Sequence, residues 1–213
     1  MTPTSDEIWQ AVAAERVTLL ELLEGLSESD WDRPSLCDGW RVRDVAAHVI
    51  LSSSPTIAAL LINLIRARGN LTRLSRDTAI RHADRSPSRQ LLVQLRATIP
   101  LRVAAPGTTP TDRLMDLLVH IQDIAIPLGL SRDMPTASAR LALDRVWTMN
   151  WPFHAHRKLS PYRLIATDTH WTVGTGPTIE APIADLLLLA TGRTAKLATL
   201  DGDGAFLLRN DLG

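Results

Sequence analysis

The sequence predicts a mainly α-helical fold: a helical bundle over residues 1–150, then a small α+β domain over residues 151–213. Three observations carry this reading. Apolar residues recur at helical spacing in successive segments up to about residue 150. Proline and glycine punctuate those segments at intervals suited to short helix–helix connections. After Pro161 the chain turns to Thr, Val, Ile and aromatic residues broken by turn formers, the pattern of short strands.

The first helix is expected from about Ser5 to Leu23, capped by Ser5, with Ile8, Val12, Leu19, Leu22 and Leu23 on one stripe. The connection "SESDWDRPSLCDGW" is rich in turn formers, and a second helix starts near Val42 with Val45, Val49 and Ile50 facing inward. Pro55 ends or kinks it, and Ile57 to Arg66 continues at an angle. Between Arg66 and Arg89 the periodicity dissolves among arginines, which suggests a solvated loop or a short exposed helix. A third helix is expected at about Pro87 to Ala104. A fourth opens with Thr109 as cap and Pro110 at its first position, and stops at Gly129. Thr136 to Met149 reads as a fifth. Two or three antiparallel strands follow, then the compact apolar helix "PIADLLLLATGR" closed by Gly192, then a turn and a last short helix.

Composition narrows the function. With 23 basic and 23 acidic residues the net charge is zero, so no global field draws the chain toward nucleic acid or anionic lipid. Lys158 and Lys196 are the only lysines, and the seven arginines between residues 66 and 89 lack the aromatic interleaving of a nucleic-acid surface. Cys37 is the only cysteine, which excludes an internal disulfide and a cysteine-rich zinc knuckle. The N-terminus carries early acids and no apolar core, unlike a signal peptide. The uncharged run Val45 to Ile65 is as long as a membrane span, but His48, three serines, Pro55 and Asn63 suit a core helix better. A cytoplasmic protein is expected.

The informative residues are polar ones on apolar stripes. "LMDLLVHIQD" places Asp116 and His120 four residues apart, on one helix face; "RDVAAHV" does the same with Asp44 and His48. Two inward histidines from different helices with a carboxylate are the ligand set of an open metal site, which bundles build from facing helices. In the competing reading each aspartate simply hydrogen-bonds its own histidine.

"WDRPSLCDGWRVRDVAAHV", with "LLVHIQDIAIPLGL" downstream and "APIADLLLLATGR" near the C-terminus, resembles the mycothiol-dependent maleylpyruvate isomerase family of DinB-like metalloproteins. Residues 66 to 105 carry none of the resemblance. It implies a DinB-like four-helix bundle, a small α+β C-terminal domain, and a zinc ion held by His, Glu and His. Carried over, the metal ligands are His48, Asp116 and His120, with Asp116 standing where the family has glutamate. Arg41 stands where the family caps the second helix with Ser or Thr.

Around those ligands, Asp44 and Asp123 are expected to orient His48 and His120 from behind; the alternatives are a fourth ligand at Asp44 and a helix-surface carboxylate at Asp123. Trp40 is expected at the pocket mouth, and Arg193 is the candidate to meet an anionic substrate; their alternatives are a packing anchor and a helix-end charge. Cys37 has no neighbour in sequence that would activate it. His154 and His156 alternate in a basic linker, and His82 and His170 have no partner legible in the sequence.

The resemblance implies a metal-dependent thiol transferase or isomerase. Its cofactor would be a divalent metal, zinc in the first place with Fe2+ or Ni2+ as alternatives, and mycothiol its thiol cosubstrate. The expected partners are that thiol, an electrophilic and anionic substrate, and, as an open option, a second copy of the chain; nucleic acid and membrane are not expected. A metal-dependent hydrolase on the same site, or a non-enzymatic binding or regulatory module, are the alternatives.

Overall fold

The computed structural model describes residues 3–53, 71–104 and 107–212. The chain divides into two compact units, Met1–Arg132 and Asp133–Gly213. The first is helical and the second mixes helices with a three-stranded sheet.

In the first unit, α1 (Ser5–Glu24) is capped by Thr4, one residue before the expected Ser5. The Thr4 hydroxyl accepts from the Glu7 backbone N–H at 3.3 Å, and the Glu7 carboxylate accepts from the Thr4 N–H at 2.7 Å. α2 (Val42–Ser52) buries Val42, Val45, Ala46, Ala47 and Val49 almost completely. The expected segment Ile57 to Arg66 and the break at Pro55 lie outside the described residues.

α3 (Leu71–Arg85) is a full helix of 15 residues where the sequence suggested a loop or short helix. It packs on α2, and among its described side chains Ala79 and Ala83 are fully buried. Alanines give little hydrophobic signal among arginines, so they do not announce a helix.

α4 (Ser88–Thr98) ends well short of Ala104. Pro100 accounts for this: it brings no N–H to the ladder and restricts the residue before it. The carbonyls left open at that end are taken by a cation from another helix. Arg16 of α1, only 1% exposed, donates to Thr98 O at 2.7 Å, Leu101 O at 2.6 Å and Ser53 Oγ at 3.1 Å. One guanidinium thus joins α1 to the end of α4 and the end of α2.

α5 (Pro110–Ala125) has the predicted start. Thr109 and Asp112 form a reciprocal cap, with Thr109 N–H donating to Asp112 at 2.7 Å and Asp112 N–H to Thr109 Oγ1 at 3.3 Å. α5 packs on α1 and α2, and α4 also packs on both, so the core of the unit is a four-helix arrangement with α3 laid on α2.

The second unit begins earlier than the expected boundary at residue 150. α6 (Thr136–Thr148) packs against α8 (Ile183–Ala190), burying Ala139, Ala142, Leu143 and Val146, and its Asp144 accepts from the Trp171 indole at 2.7 Å. The composition shift at residue 150 marks a change of secondary structure, whereas the packing changes at 132. α7 (Ala155–Leu159) is a single turn.

The sheet departs from the antiparallel expectation. β1 (Arg163–Ala166) pairs antiparallel with β2 (Thr172–Gly174) but parallel with β3 (Thr178–Ala181), in the order β2-β1-β3. After β2 the chain crosses over the start of β1 to reach its other edge. Gly174 permits that crossing: φ is +76° and an added Cβ would lie 2.2 Å from the Tyr162 carbonyl oxygen. The last helix, α9 (Asp203–Leu212), closes the unit against β3. Among the described residues, no helix is long and apolar enough to cross a membrane.

Arg16→Ala is expected to destabilise the protein by about 3 kcal/mol or more, since it strips donors from two helix-end carbonyls and leaves a buried void. Urea unfolding followed by circular dichroism would read this as a lowered midpoint.

Candidate metal centre

The site lies within the first unit and is assembled from α2, α3, α5 and the connection before α2. That connection folds back tightly. Ser35 N–H donates to Trp40 O at 2.9 Å, and Trp40 N–H donates to Cys37 O at 3.0 Å. Gly39 closes the turn at φ +69°, in the left-handed region that favours glycine. Leu36 N–H then donates to the Asp123 backbone carbonyl at 3.0 Å, which fastens the connection to α5.

Three expected ligands meet. Asp116 Oδ1 lies 3.4 Å from His48 Nε2 of α2 and 3.4 Å from His120 Nε2 of its own helix. The imidazole centroids are 4.9 Å apart, and the three donor atoms all lie within 4.8 Å of one another. A separation of 3.4 Å is long for a hydrogen bond. It is, however, the edge of a ligand tetrahedron: donors about 2.0–2.1 Å from a zinc ion stand about 3.3 Å apart. Side-chain exposures of 19%, 18% and 12% for His48, Asp116 and His120 leave the donors reachable from solvent.

Both imidazoles are held from behind. His120 Nδ1 is 2.8 Å from Asp123 Oδ2, and Asp123 is completely buried, as the sequence suggested. His48 Nδ1 is 3.1 Å from Ser75 Oγ of α3. Each partner engages Nδ1 and turns Nε2 toward Asp116, which fixes the orientation a metal needs. The expected partner of His48, Asp44, is engaged elsewhere. Its carboxylate accepts from the Arg41 backbone N–H at 2.8 Å and from the Arg41 guanidinium at 3.0 and 2.9 Å. Asp44 is therefore the cap of α2, and it compensates for an arginine at the position the family fills with Ser or Thr.

The electrostatics favour a charged pair. Burial pushes the Asp116 carboxyl up, but His48, Arg113 and His120 together outweigh it and hold the group well below the usual carboxylate range. Burial pulls His120 down, but Asp116, Asp123 and Cys37 raise it well above an ordinary histidine. Arg113 Nη1 stands 3.6 Å from Asp116 Oδ2 and also donates to Ser52 O at 3.3 Å.

Trp40 stands against both imidazoles, its ring centroid 5.4 Å from His48 and 6.3 Å from His120, as a wall of the site. Cys37, which had no legible neighbour, lies 3.1 Å from Asp123 Oδ2 and 3.7 Å from His120 Nδ1. Both contacts come from residues more than 80 positions away, so no local spacing could announce them. Ser75 was missed for the same reason, and Arg113 was legible only as the residue one turn before Asp116.

The other candidates fall elsewhere. Arg193 belongs to the second unit and donates to Thr191 O at 2.8 Å, at the end of α8. His154 Nδ1 pairs with Asn150 at 2.8 Å, and His156 packs edge-on against Trp147. His82 Nε2 is 2.7 Å from Gln94 Oε1.

Comparison with known proteins bears on this arrangement. Residues 12–113 match the mycothiol maleylpyruvate isomerase N-terminal domain. That span includes Cys37, Trp40, His48 and Ser75 and stops three residues before Asp116. Comparison with curated proteins gave no match. Among solved structures, the crystal structure of the mycothiol-dependent maleylpyruvate isomerase superposes with a TM-score of 0.66 at 13% identity, over 96% of this chain and 97% of that one. A histidine-to-alanine variant of that enzyme gives the same TM-score at 14% identity. The solved structures show the fold, and the domain match shows that residues 12–113 are a mycothiol maleylpyruvate isomerase N-terminal domain.

Proposed function

We propose that this chain is a metal-dependent enzyme of thiol chemistry, an isomerase or S-transferase, with zinc held by His48, Asp116 and His120. The observation that carries the reading is the placement of one Asp116 oxygen 3.4 Å from the Nε2 atoms of histidines on two helices. At 3.4 Å each contact is long for a hydrogen bond, and the spacing is that of donors around a tetrahedral cation. The family suggests mycothiol as the thiol and an acidic, electrophilic alkene such as maleylpyruvate as the substrate class. A zinc ion with three protein ligands, when bound, supplies an open position at which a thiol is deprotonated near neutral pH.

The chain's own residues supply the rest. Asp123 and Ser75 keep both Nε2 lone pairs aimed inward. Arg113 balances the charge of Asp116, so the carboxylate stays ionised in a largely enclosed place. Trp40 walls one side of it. The thiolate would add to the electrophilic carbon, forming a C–S bond and leaving a single bond about which the substrate rotates. Elimination then breaks the C–S bond and returns the thiol for isomerisation; release of the adduct instead gives transfer.

Protein purified without chelator is expected to carry about one zinc per chain, and His48→Ala to carry none, by metal analysis of untagged protein. Absence of metal from both, even after incubation with zinc, would refute the site. With zinc bound, incubation with a small thiol and an electrophilic alkene should give isomer or thioether adduct; hydrolysis without a thiol would point to water activation instead.

Asp123→Asn keeps the shape of the side chain but removes its charge from His120 and Cys37. It is expected to weaken zinc binding about 10–100-fold, read by competition with a chromophoric chelator.

A further inference from the structure

We propose that Cys37, His120 and Asp123 form a second cation site, for a thiophilic d10 cation, and that it competes with the His48–Asp116–His120 site for the lone pair of one imidazole. Among the described residues these two groups of three are the ones whose donor atoms lie within 4.8 Å of one another, and they share only His120. One set reaches its Nε2, the other its Nδ1.

The geometry of the second set is that of ligands around an ion. The Cys37 sulfur is 3.7 Å from His120 Nδ1 and 3.1 Å from Asp123 Oδ2. Around a tetrahedral ion with a metal–sulfur distance of about 2.3 Å and metal–N/O distances of about 2.0–2.1 Å, sulfur stands about 3.5 Å from N or O. The observed pair brackets that value. The Nδ1–Oδ2 distance of 2.8 Å must open by about half an ångström to admit an ion. The sulfur is held in place by its backbone: Cys37 N–H donates to Ser35 Oγ at 3.1 Å, Cys37 O accepts from Trp40 N–H, and the neighbouring Leu36 N–H is bonded to Asp123 O.

Donor softness separates the two sets. The first offers two imidazole nitrogens and a carboxylate; the second replaces an imidazole with a thiolate, which favours cadmium, mercury(II) or copper(I). Proton bookkeeping then sets them against each other. When a cation enters the second set, the Cys37 thiol loses its proton to solvent and the Nδ1 proton of His120 moves to Nε2. A neutral imidazole has one lone pair, so His120 can no longer ligate beside His48 and Asp116. The coupling is reciprocal, as any linkage between binding equilibria must be.

The competition rests on the zinc site proposed above, but the second site does not, and the test keeps the two apart. Cation-free protein would be titrated with cadmium chloride, following the ultraviolet thiolate-to-cadmium charge-transfer band, with circular dichroism as a check on folding. The band should saturate in wild type and in His48→Ala, be absent in Cys37→Ser, and need at least about tenfold more cadmium in Asp123→Asn. In zinc-loaded wild type, growth of the band should release zinc to a colorimetric indicator, while Cys37→Ser retains its zinc under the same cadmium. No band in folded wild type and His48→Ala, or a band unaffected by Asp123→Asn, would overturn the site. A band that grows while zinc stays bound would overturn the competition. A band in protein that never takes up zinc would sink the zinc site and leave this one standing.

Discussion

The site depends on one buried carboxylate. Asp123 is completely shielded from solvent, and a charge in that position is tolerable only if hydrogen bonds surround it. They come from the two sides it joins. Its side chain accepts from the Cys37 thiol and lies 2.8 Å from His120 Nδ1, while its backbone carbonyl accepts from Leu36 N–H. The connection carrying Cys37 and Trp40 is thereby fixed to α5. Trp40 can then stand against both imidazoles, and His120 must present Nε2 to Asp116. Without that carboxylate the ring would lose its orientation and the connection one of its attachments together.

A second constraint works in the same bundle. Arg16 ties three chain segments through carbonyl and hydroxyl oxygens, and burial, with the repulsion of Arg113, lowers its pKa to about 10. Even so it stays protonated at neutral pH. The helix ends it satisfies include Ser53 at the close of α2, the helix that carries His48. His48, Asp116 and His120 therefore sit on helices whose ends are held: α2 by Asp44 at its start and Arg16 at its close, α5 by Thr109 and Asp112 at its start. Sites built on held helices keep their donors in place without a ligand.

What the sequence made legible follows from the range of each interaction. The starts of α1 and α5, the end of α8 at Gly192 and the Asp116–His120 pairing are local, set by residues within one turn, so spacing reveals them. His48 was placed through the resemblance, on the block that contains it. The failures are all long-range or masked. Asp44 looked like the partner of His48 because both lie one turn apart, yet an adjacent Arg41 offers it a backbone N–H and a guanidinium at once. Ser75 was hidden because it meets His48 from 27 residues away, on a helix whose arginines mask its periodicity. The parallel pairing of β3 with β1 depends on a crossing that glycines permit, which no alternation pattern encodes.

Asp116 stands where the resemblance implies glutamate, and the folded chain shows what the shorter acid reaches. Asp116 is one methylene shorter, and on the sequence alone that shortening threatened to withdraw the carboxylate from the ion. In the folded chain a single oxygen of Asp116 already stands at equal distance from the two Nε2 atoms, 3.4 Å each. The imidazole centroids, 4.9 Å apart, are close enough that a short acid spans the gap from its own helix. Arg113, one turn before it, holds the other oxygen and keeps the group ionised against its burial. Under the zinc reading a short acid on α5 reaches the point between the two Nε2 atoms from its own helix, and zinc accepts aspartate and glutamate oxygens at the same range of distances.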